Sequence, residues 1–394
     1  MNKNKPSILS FVLLATLSVT NSHAEFDPGV IKAGGIDITP TVDILESYDS
    51  NVFYSESDKK SAMITVVKPN VSATIEKGAN KYSIEAGASF GRYSSGSSDN
   101  YVDSNLGFDL HQSFTRKANL DISAGRLNTH ESRGLGYSIG DATSLSEPDE
   151  YHIDMIDSQF SYGSKDAIGQ IVFNIYTEQR TYDSRKDVTK FRNRNLTGGG
   201  VTFYYHLMPK TSLLFELDHR ALAYSNNDSY DSTEQRLLIG TRWDVSALTS
   251  GKAKVGLLEK NFDVASRTGS SIVSWEIGAR WTPLSYSVFD IITKGNFEET
   301  DGDGDYIDSK TALVQWTHFW NKSLNTAVDL NLTKNSYQDS DREDDYKSIG
   351  LRADYNLRRW LNVGLGYTYS ANQSSQNNSD YDKNVVTLGF EAAL

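Results

Sequence analysis

The chain has no cysteine, so it can form no disulfide and offers neither a thiolate metal site nor a thiol nucleophile. Proline is scarce, seven in 394 residues, which leaves most backbone N–H groups free to join hydrogen-bonded ladders. Long apolar runs are missing beyond Val19, which excludes a protein that crosses a membrane with helices. The one early run, Ile8–Val19, is well short of the ~20 residues a spanning helix needs. Positive charge is in deficit, with 39 Lys and Arg against 51 Asp and Glu. Phosphate recognition needs clustered Lys and Arg, so no nucleic-acid partner is expected.

What is present at the N-terminus reads as an export signal: Lys3 and Lys5, the apolar run, then Ser22-His23-Ala24 where a signal peptidase wants small residues. Residues 1–24 are therefore expected to be removed, with the mature chain starting near Glu25. Losing Lys3 and Lys5 moves the formal net charge from −12 to −14.

Period-two alternation then recurs along almost the whole mature length. In 322–335, Leu324, Thr326, Val328, Leu330 and Leu332 share one face, and Asn325, Asp329, Asn331, Thr333 and Asn335 the other. The stretch 361–369 sets Leu361, Val363, Leu365, Tyr367 and Tyr369 against Asn362, Gly364, Gly366 and Thr368. In 272–281, Val273, Trp275, Ile277, Ala279 and Trp281 oppose Ser274, Glu276, Gly278 and Arg280. Similar stretches lie near 82–92, 104–114, 118–126, 199–207, 211–221, 235–245, 286–298, 310–320 and 347–357. Short connectors such as Met208-Pro209-Lys210 and Ser164-Lys165-Asp166 alternate with longer polar ones at 134–150, 184–191, 300–305, 338–345 and 371–380. This pattern predicts an all-β fold, a transmembrane up-and-down antiparallel β-barrel of about 18 strands, between 16 and 18. The expected organisation is a signal peptide at 1–24, a short periplasmic segment at 25–35 and the barrel at 36–394. A soluble β-sandwich or propeller is the alternative for many alternating strands, but it predicts a packed core and no aromatic girdles.

Aromatic residues cluster at strand ends. Tyr93, Tyr101, Tyr151, Tyr182, Tyr224, Tyr230, Tyr306, Tyr337, Tyr346, Tyr369 and Tyr381 adjoin the long connectors, and Trp243, Trp281, Trp320 and Trp360 the short turns. We read these as two interfacial girdles. The last strand places Val386, Leu388, Phe390, Ala392 and Leu394 on one face. It is similar to the C-terminal signal read by the barrel-assembly machinery, with Leu where Phe is usual. Pro69 marks an irregular second strand.

The polar faces give a list of lumen-lining candidates. The acids are Glu85, Asp109, Asp121, Glu216, Asp218, Asp244, Glu276, Asp290, Asp329 and Asp354; the bases are Arg220, Arg236, Arg242, Arg280, Lys294 and Arg352. Interleaved signs predict pairing across strands, and the acid excess predicts a mild preference for cations. The run Asp301-Gly302-Asp303-Gly304-Asp305 invites calcium, yet Tyr306 and Ala312 stand where the EF-hand loop needs Gly and Glu, so a solvated acidic loop is expected. The same holds for Asp341-Arg342-Glu343-Asp344-Asp345, which could bridge divalent ions to lipopolysaccharide. His130-Glu131-Ser132 and Asp218-His219 are adjacent in sequence, not arranged as a catalytic set, because strand neighbours point to opposite faces. No catalytic residue, metal or cofactor is expected.

Thr39-Pro40-Thr41 followed by Tyr48-Asp49-Ser50-Asn51-Val52-Phe53-Tyr54 resembles the opening of a family of β-barrel porins that accompany exopolysaccharide and capsule synthesis clusters. The resemblance implies an outer-membrane pore for polysaccharide secretion, working with a periplasmic polysaccharide-export protein and surrounded by outer-membrane lipid and lipopolysaccharide. Read from the residues alone, Tyr48, Asp49, Asn51, Val52 and Phe53 form a strand end, with Tyr48 on the outer face, Asn51 in a turn and Phe53 anchoring the loop. Two other functions stay open: a general diffusion porin for small solutes, and a plugged surface adhesin or structural barrel.

Overall fold

The computed structural model describes residues 29–393 apart from 165–166, 247 and 301. The expected signal peptide, the start of the expected N-terminal segment, Asp301 and Leu394 thus lie outside the described residues. A three-residue strand β1 (Ile31–Ala33) turns through Gly34-Gly35, whose φ values of 58° and 88° suit a tight hairpin, into β2 (Ile36–Asp49). The wall continues through β3 (Ala62–Lys77), β4 (Asn80–Tyr93), β5 (Tyr101–Ser113), β6 (Ala118–Glu131), β7 (Asp149–Tyr162), β8 (Gly169–Tyr182) and β9 (Arg194–Met208). It is completed by β10 (Thr211–Tyr224), β11 (Ser232–Ser246), β12 (Thr249–Phe262), β13 (Ser270–Leu284), β14 (Ser287–Glu298) and β15 (Tyr306–Phe319). The last four are β16 (Leu324–Gln338), β17 (Glu343–Arg358), β18 (Leu361–Ser374) and β19 (Tyr381–Ala393).

Each strand pairs antiparallel with its sequence neighbours, and β19 pairs back onto β2 from Val385↔Asp49 to Ala393↔Thr41. The eighteen strands β2–β19 therefore close into a barrel, which removes every open edge. β7, β8 and β12 join the wall although alternation is less plain there, because Tyr151, Met155, Val172 and Leu258 put apolar side chains on the lumen side. Pro40 and Pro69 sit in β2 and β3, and the β3–β4 ladder skips the pair positions beside Pro69, between Val67↔Phe90 and Asn70↔Gly87. The missing N–H is absorbed by one gap in a ladder of otherwise continuous register.

Outward-facing positions carry exposed aliphatic side chains on all sides, among them Ile84, Leu106, Ile175, Leu217, Leu237, Leu257, Val273, Leu332, Leu351 and Leu365. An apolar surface of this extent is the lipid face of a barrel, not a defect. Turns 78–79, 209–210 and 359–360 gather at the end where β2 begins and β19 ends. Long connectors such as 132–148 and 183–193 gather at the other; by the usual asymmetry the first end is periplasmic and the second extracellular. Strands reach further into the extracellular connectors than the sequence pattern indicates, leaving only 339–342 and 375–380 between β16 and β17 and between β18 and β19.

At the periplasmic end the tryptophans form an outward girdle. Trp281, Trp320 and Trp360 are exposed, and Trp281, Phe289 and Trp316 stack across three strands at centroid distances of 5.1 and 5.9 Å. The tyrosine girdle requires correction. Tyr93, Tyr101, Tyr151, Tyr182, Tyr224, Tyr337, Tyr346 and Tyr381 lie on the lumen side of their strands, and Tyr182, Tyr224, Tyr306 and Tyr337 are buried. Strand ends on this side rise above the bilayer, so a tyrosine there is positioned by residue parity and not by the interface. The residues make an interior collar below the extracellular mouth.

Candidate functional site in the barrel lumen

Strand register places fifteen of the sixteen lumen candidates, all but Asp244, on the face opposite the aliphatic belt. They do not spread evenly. On β10–β13, Glu216 receives Arg236 at 3.0 Å and Lys254 at 2.9 Å, and Lys254 also reaches Glu276 at 2.8 Å. Glu276 takes Lys252 at 2.9 Å from below. One level up, Arg220 and Lys260 share Glu234 at 2.6 and 3.1 Å. Arg280 pairs with Asp290 at 2.7 Å, and Arg242 lies over the Tyr204 ring at 4.0 Å. Buried Lys254 and Lys260 are each held by two carboxylates, so removing one acid weakens the pairing and only the loss of both would leave an uncompensated buried charge.

A second wall, on β4–β7, is acidic. Glu85, Asp109, Asp121 and Asp157 face the lumen there, with Asp109 bonded by Ser123 at 2.6 Å and Asp121 by His111 at 2.7 Å. The remaining candidates are separate. Asp218 accepts from Tyr176 at 2.9 Å, Asp329 from Gln315 at 2.6 Å, Arg352 pairs with Asp354 at 2.7 Å, and Lys294 with Glu298 at 3.3 Å. Asp244 sits near the periplasmic end, its N–H bonded to Lys210 O at 2.8 Å.

The lumen is narrowed by one hairpin. The β13–β14 ladder stops at Trp275↔Gly295, while β14 and β15 stay paired to Glu298↔Ile307. Above that break, Phe297 and Tyr306, both of outward parity, are buried against Leu258, Phe262 and Ile272, which line the inside of β12 and β13. The tip of the β14–β15 hairpin is thus folded inward, its back against the inner wall. Glu299 at the tip latches it: its carboxylate meets Lys260 at 2.7 Å and accepts from Tyr224 Oη at 3.2 Å. Burial pushes the Glu299 pKa up, but Lys260, Arg194 and Arg220 outweigh that and hold it below the usual carboxylate value. Tyr230 Oη donates to Gly304 O at 3.2 Å, and Arg267 clasps Asp305.

The family model named "Putative beta-barrel porin 2" matches residues 23–394. The chain belongs to this family. Among solved structures it is similar to the outer-membrane protein OpdK of Pseudomonas aeruginosa, at 12% identity over 91% of this chain and 99% of that one, TM-score 0.50. It is also similar to OccK3 (OpdO) of the same organism, at 12% identity, covering 91% and 96%, TM-score 0.50. A BenF-like porin from Pseudomonas fluorescens Pf-5 matches at 10% identity, covering 91% and 99%, TM-score 0.50. At these identities the likeness is one of fold. No curated protein matches the chain. The protein is an outer-membrane β-barrel porin.

In this porin the opening motif serves the rim. Asn51 is fully buried; its Nδ2 donates to Ser55 O at 2.8 Å and to Asp382 O at 3.0 Å, and its N–H donates to Asp49 Oδ1 at 2.9 Å. Asp49 in turn binds Lys383 of β19 at 2.7 Å. The motif therefore bolts the first extracellular connector across the seam where β19 meets β2. Val52 and Phe53 are buried with Ala62 and Ala142, the Arg133 guanidinium lies over Phe53 at 4.4 Å, and Tyr48 faces outward. Cations sandwiched between a carboxylate and an aromatic ring recur round the mouth: Arg133 with Asp99, Arg192 with Glu131 and Tyr182, Arg342 with Asp344 and Tyr337. The acidic connectors are accordingly not simply solvated: Asp305 is held by Arg267, Asp303 lies 3.7 Å from Arg342, and Asp344 is buried.

Sequence reasoning missed Lys252, Lys254 and Lys260, three of the seven lumen cations on β10–β13 among the described residues, and Glu234, which pairs with Lys260 and Arg220. Their signal was present, since Lys252-Ala253-Lys254-Val255-Gly256-Leu257 alternates as cleanly as the segments recognised. Glu299 had no such signal, because a connector residue has no parity to read.

Proposed function

We propose that this porin passes small, charge-bearing polar solutes by diffusion through a lumen whose two walls differ in sign, beneath the inward-folded tip. The observation that carries this reading is the separation of the acidic side chains on β4–β7 from the cationic lattice on β10–β13. Charges of opposite sign on different sectors of a wet pore set up a field across it, which orients dipolar solutes and disfavours apolar ones. Barrels of this strand number leave an aqueous channel, and Arg280, Lys252 and Glu276 keep substantial solvent exposure. The solved porins of the same fold, named as OpdK, OpdO and BenF-like, are in keeping with a solute pore.

The polysaccharide conduit implied by the opening motif has weaker support. Asp49, Asn51 and Phe53 are engaged in closing the rim, through Lys383, Asp382 O and the Ala62–Ala142 cluster, so their contacts convey nothing about cargo. The test is swelling of proteoliposomes in isosmotic solutes of graded size. Rapid uptake of amino acids and monosaccharides with exclusion of long oligosaccharides supports the diffusion porin. Uptake that is no slower for long neutral oligosaccharides would return the argument to the polymer conduit, and no uptake of any solute to the plugged barrel.

A further inference from the structure

Outside the lumen, the lipid face of β14–β17 carries a groove of about 310 Å³ near the extracellular end. Its floor is Ala312 and Leu332, and Trp275 forms one side, with Nε1 donating to Thr293 Oγ1 at 3.1 Å. The indole lies flat because position 295 is glycine; a Cβ there would come within 2.5 Å of the ring. Three lysines converge on the groove from three adjacent strands, Lys310, Lys334 and Lys347.

The charges around it are layered along the barrel axis. The lowest row, next to the aliphatic belt of Leu330, Ile349 and Leu351, is Ala312↔Leu332↔Lys347. The row above is Lys310↔Lys334↔Asp345, and the topmost Asp308↔Ser336↔Glu343. The acids that face these lysines, Asp308 at 3.1 Å from Lys310, Glu343 at 3.0 Å from Lys334, and Asp345, thus lie level with them or on the side away from the bilayer. Lys347, lowest of the three, has no carboxylate within ion-pair distance among the described residues. Lys310 and Lys334 are direct cross-strand partners, a placement that costs stability unless something anionic lies between them.

We propose that this groove binds the phosphorylated headgroup of an outer-leaflet glycolipid, its phosphate among the three ammonium groups and an acyl chain along Leu332, Ala312 and Trp275. Cations on the membrane side, an apolar floor continuous with the lipid belt and an aromatic wall together match a phosphate carried on acyl chains, and match free phosphate poorly. The site is independent of what the lumen conducts.

Native mass spectrometry of the full-length porin in mild detergent tests it, using diphosphoryl lipid A and its dephosphorylated form as probes. The wild type should retain the diphosphoryl lipid through collisional activation, hold the dephosphorylated form far less well, and not be displaced by inorganic phosphate. The combined variant Lys310→Gln, Lys334→Gln, Lys347→Gln should bind on the order of a hundredfold more weakly, at about fivefold per lysine. Lys77→Gln with Lys81→Gln at the periplasmic turn should bind as wild type, and unchanged heat-modified migration on gels shows that each barrel is folded. Equal retention by the triple variant, equal retention of the dephosphorylated lipid, or a lipid-free dimer through this face would each overturn the proposal.

Discussion

Replacing Glu299 by Gln should loosen the hairpin that narrows the lumen. Beside Tyr306, the Tyr230–Gly304 hydrogen bond and the Arg267–Asp305 pair, two contacts at the start of the tip can be removed singly. Phe297, buried against Leu258 with Tyr306, contributes about 1.5–3 kcal/mol. The carboxylate of Glu299 contributes about 3 kcal/mol, the lower end for breaking a buried pair, because Lys260 keeps Glu234 at 3.1 Å after the change. Losing the carboxylate should raise the unseated population roughly a hundredfold. In single-channel recordings in planar bilayers, Glu299→Gln should therefore spend about a hundred times longer in a second, larger conductance level. Adding Phe297→Ala should raise the occupancy of that level by a further tenfold or more. A variant whose levels and dwell times match the wild type would refute the latch. So would a double variant with a smaller conductance, because an unseated tip can only widen the path.

The latch also has a pH dependence of known sign. Glu299 titrates below the usual carboxylate value when seated, so its contribution is complete above about pH 4.5 and disappears only as pH falls through its depressed value. The larger level should be absent between pH 5 and 8 and emerge in stronger acid, as bilayer recordings across that range would register. Asn51→Ala removes three side-chain hydrogen bonds at the seam, from Nδ2 to Ser55 O and Asp382 O and from Ser55 N–H to Oδ1. It should cost about 2–4 kcal/mol, lowering the temperature at which the folded band is lost on unheated gels while leaving conductance unchanged. Lys252→Glu with Lys254→Glu turns the basic wall acidic and should shift the reversal potential in a KCl gradient clearly toward cations; no shift would remove that wall from the ion path.

The strands were legible because a barrel wall imposes one rule, period two, on every segment, and Leu324–Asn335 or Val273–Trp281 obey it without interference. Facing followed from the same rule, which is why residues as far apart as Glu85 and Arg352 fall on the lumen side. The tyrosines misled because position along the chain says only that a residue is near a strand end. Tyr182 and Tyr224 are inside because of parity and because their strands outrun the bilayer. The folded tip was illegible for a related reason. Phe297 and Tyr306 have outward parity, and only the break of the β13–β14 ladder above Trp275 reverses what that parity means. The rim motif showed where its residues sit but not what they bind, since Asp382 and Lys383 lie more than three hundred residues away.

The central claim is that this chain forms a water-filled pore through the outer membrane with charge-lined walls of unequal sign. Its most direct test is conductance and reversal potential of the purified, refolded barrel in a planar bilayer under a KCl gradient. Stepwise, ohmic conductance with a weak preference for cations is the predicted result, the β12 lysines having reduced the acid excess without cancelling it. A folded barrel that inserts but yields no conductance steps, or one that strongly prefers anions, would contradict the account.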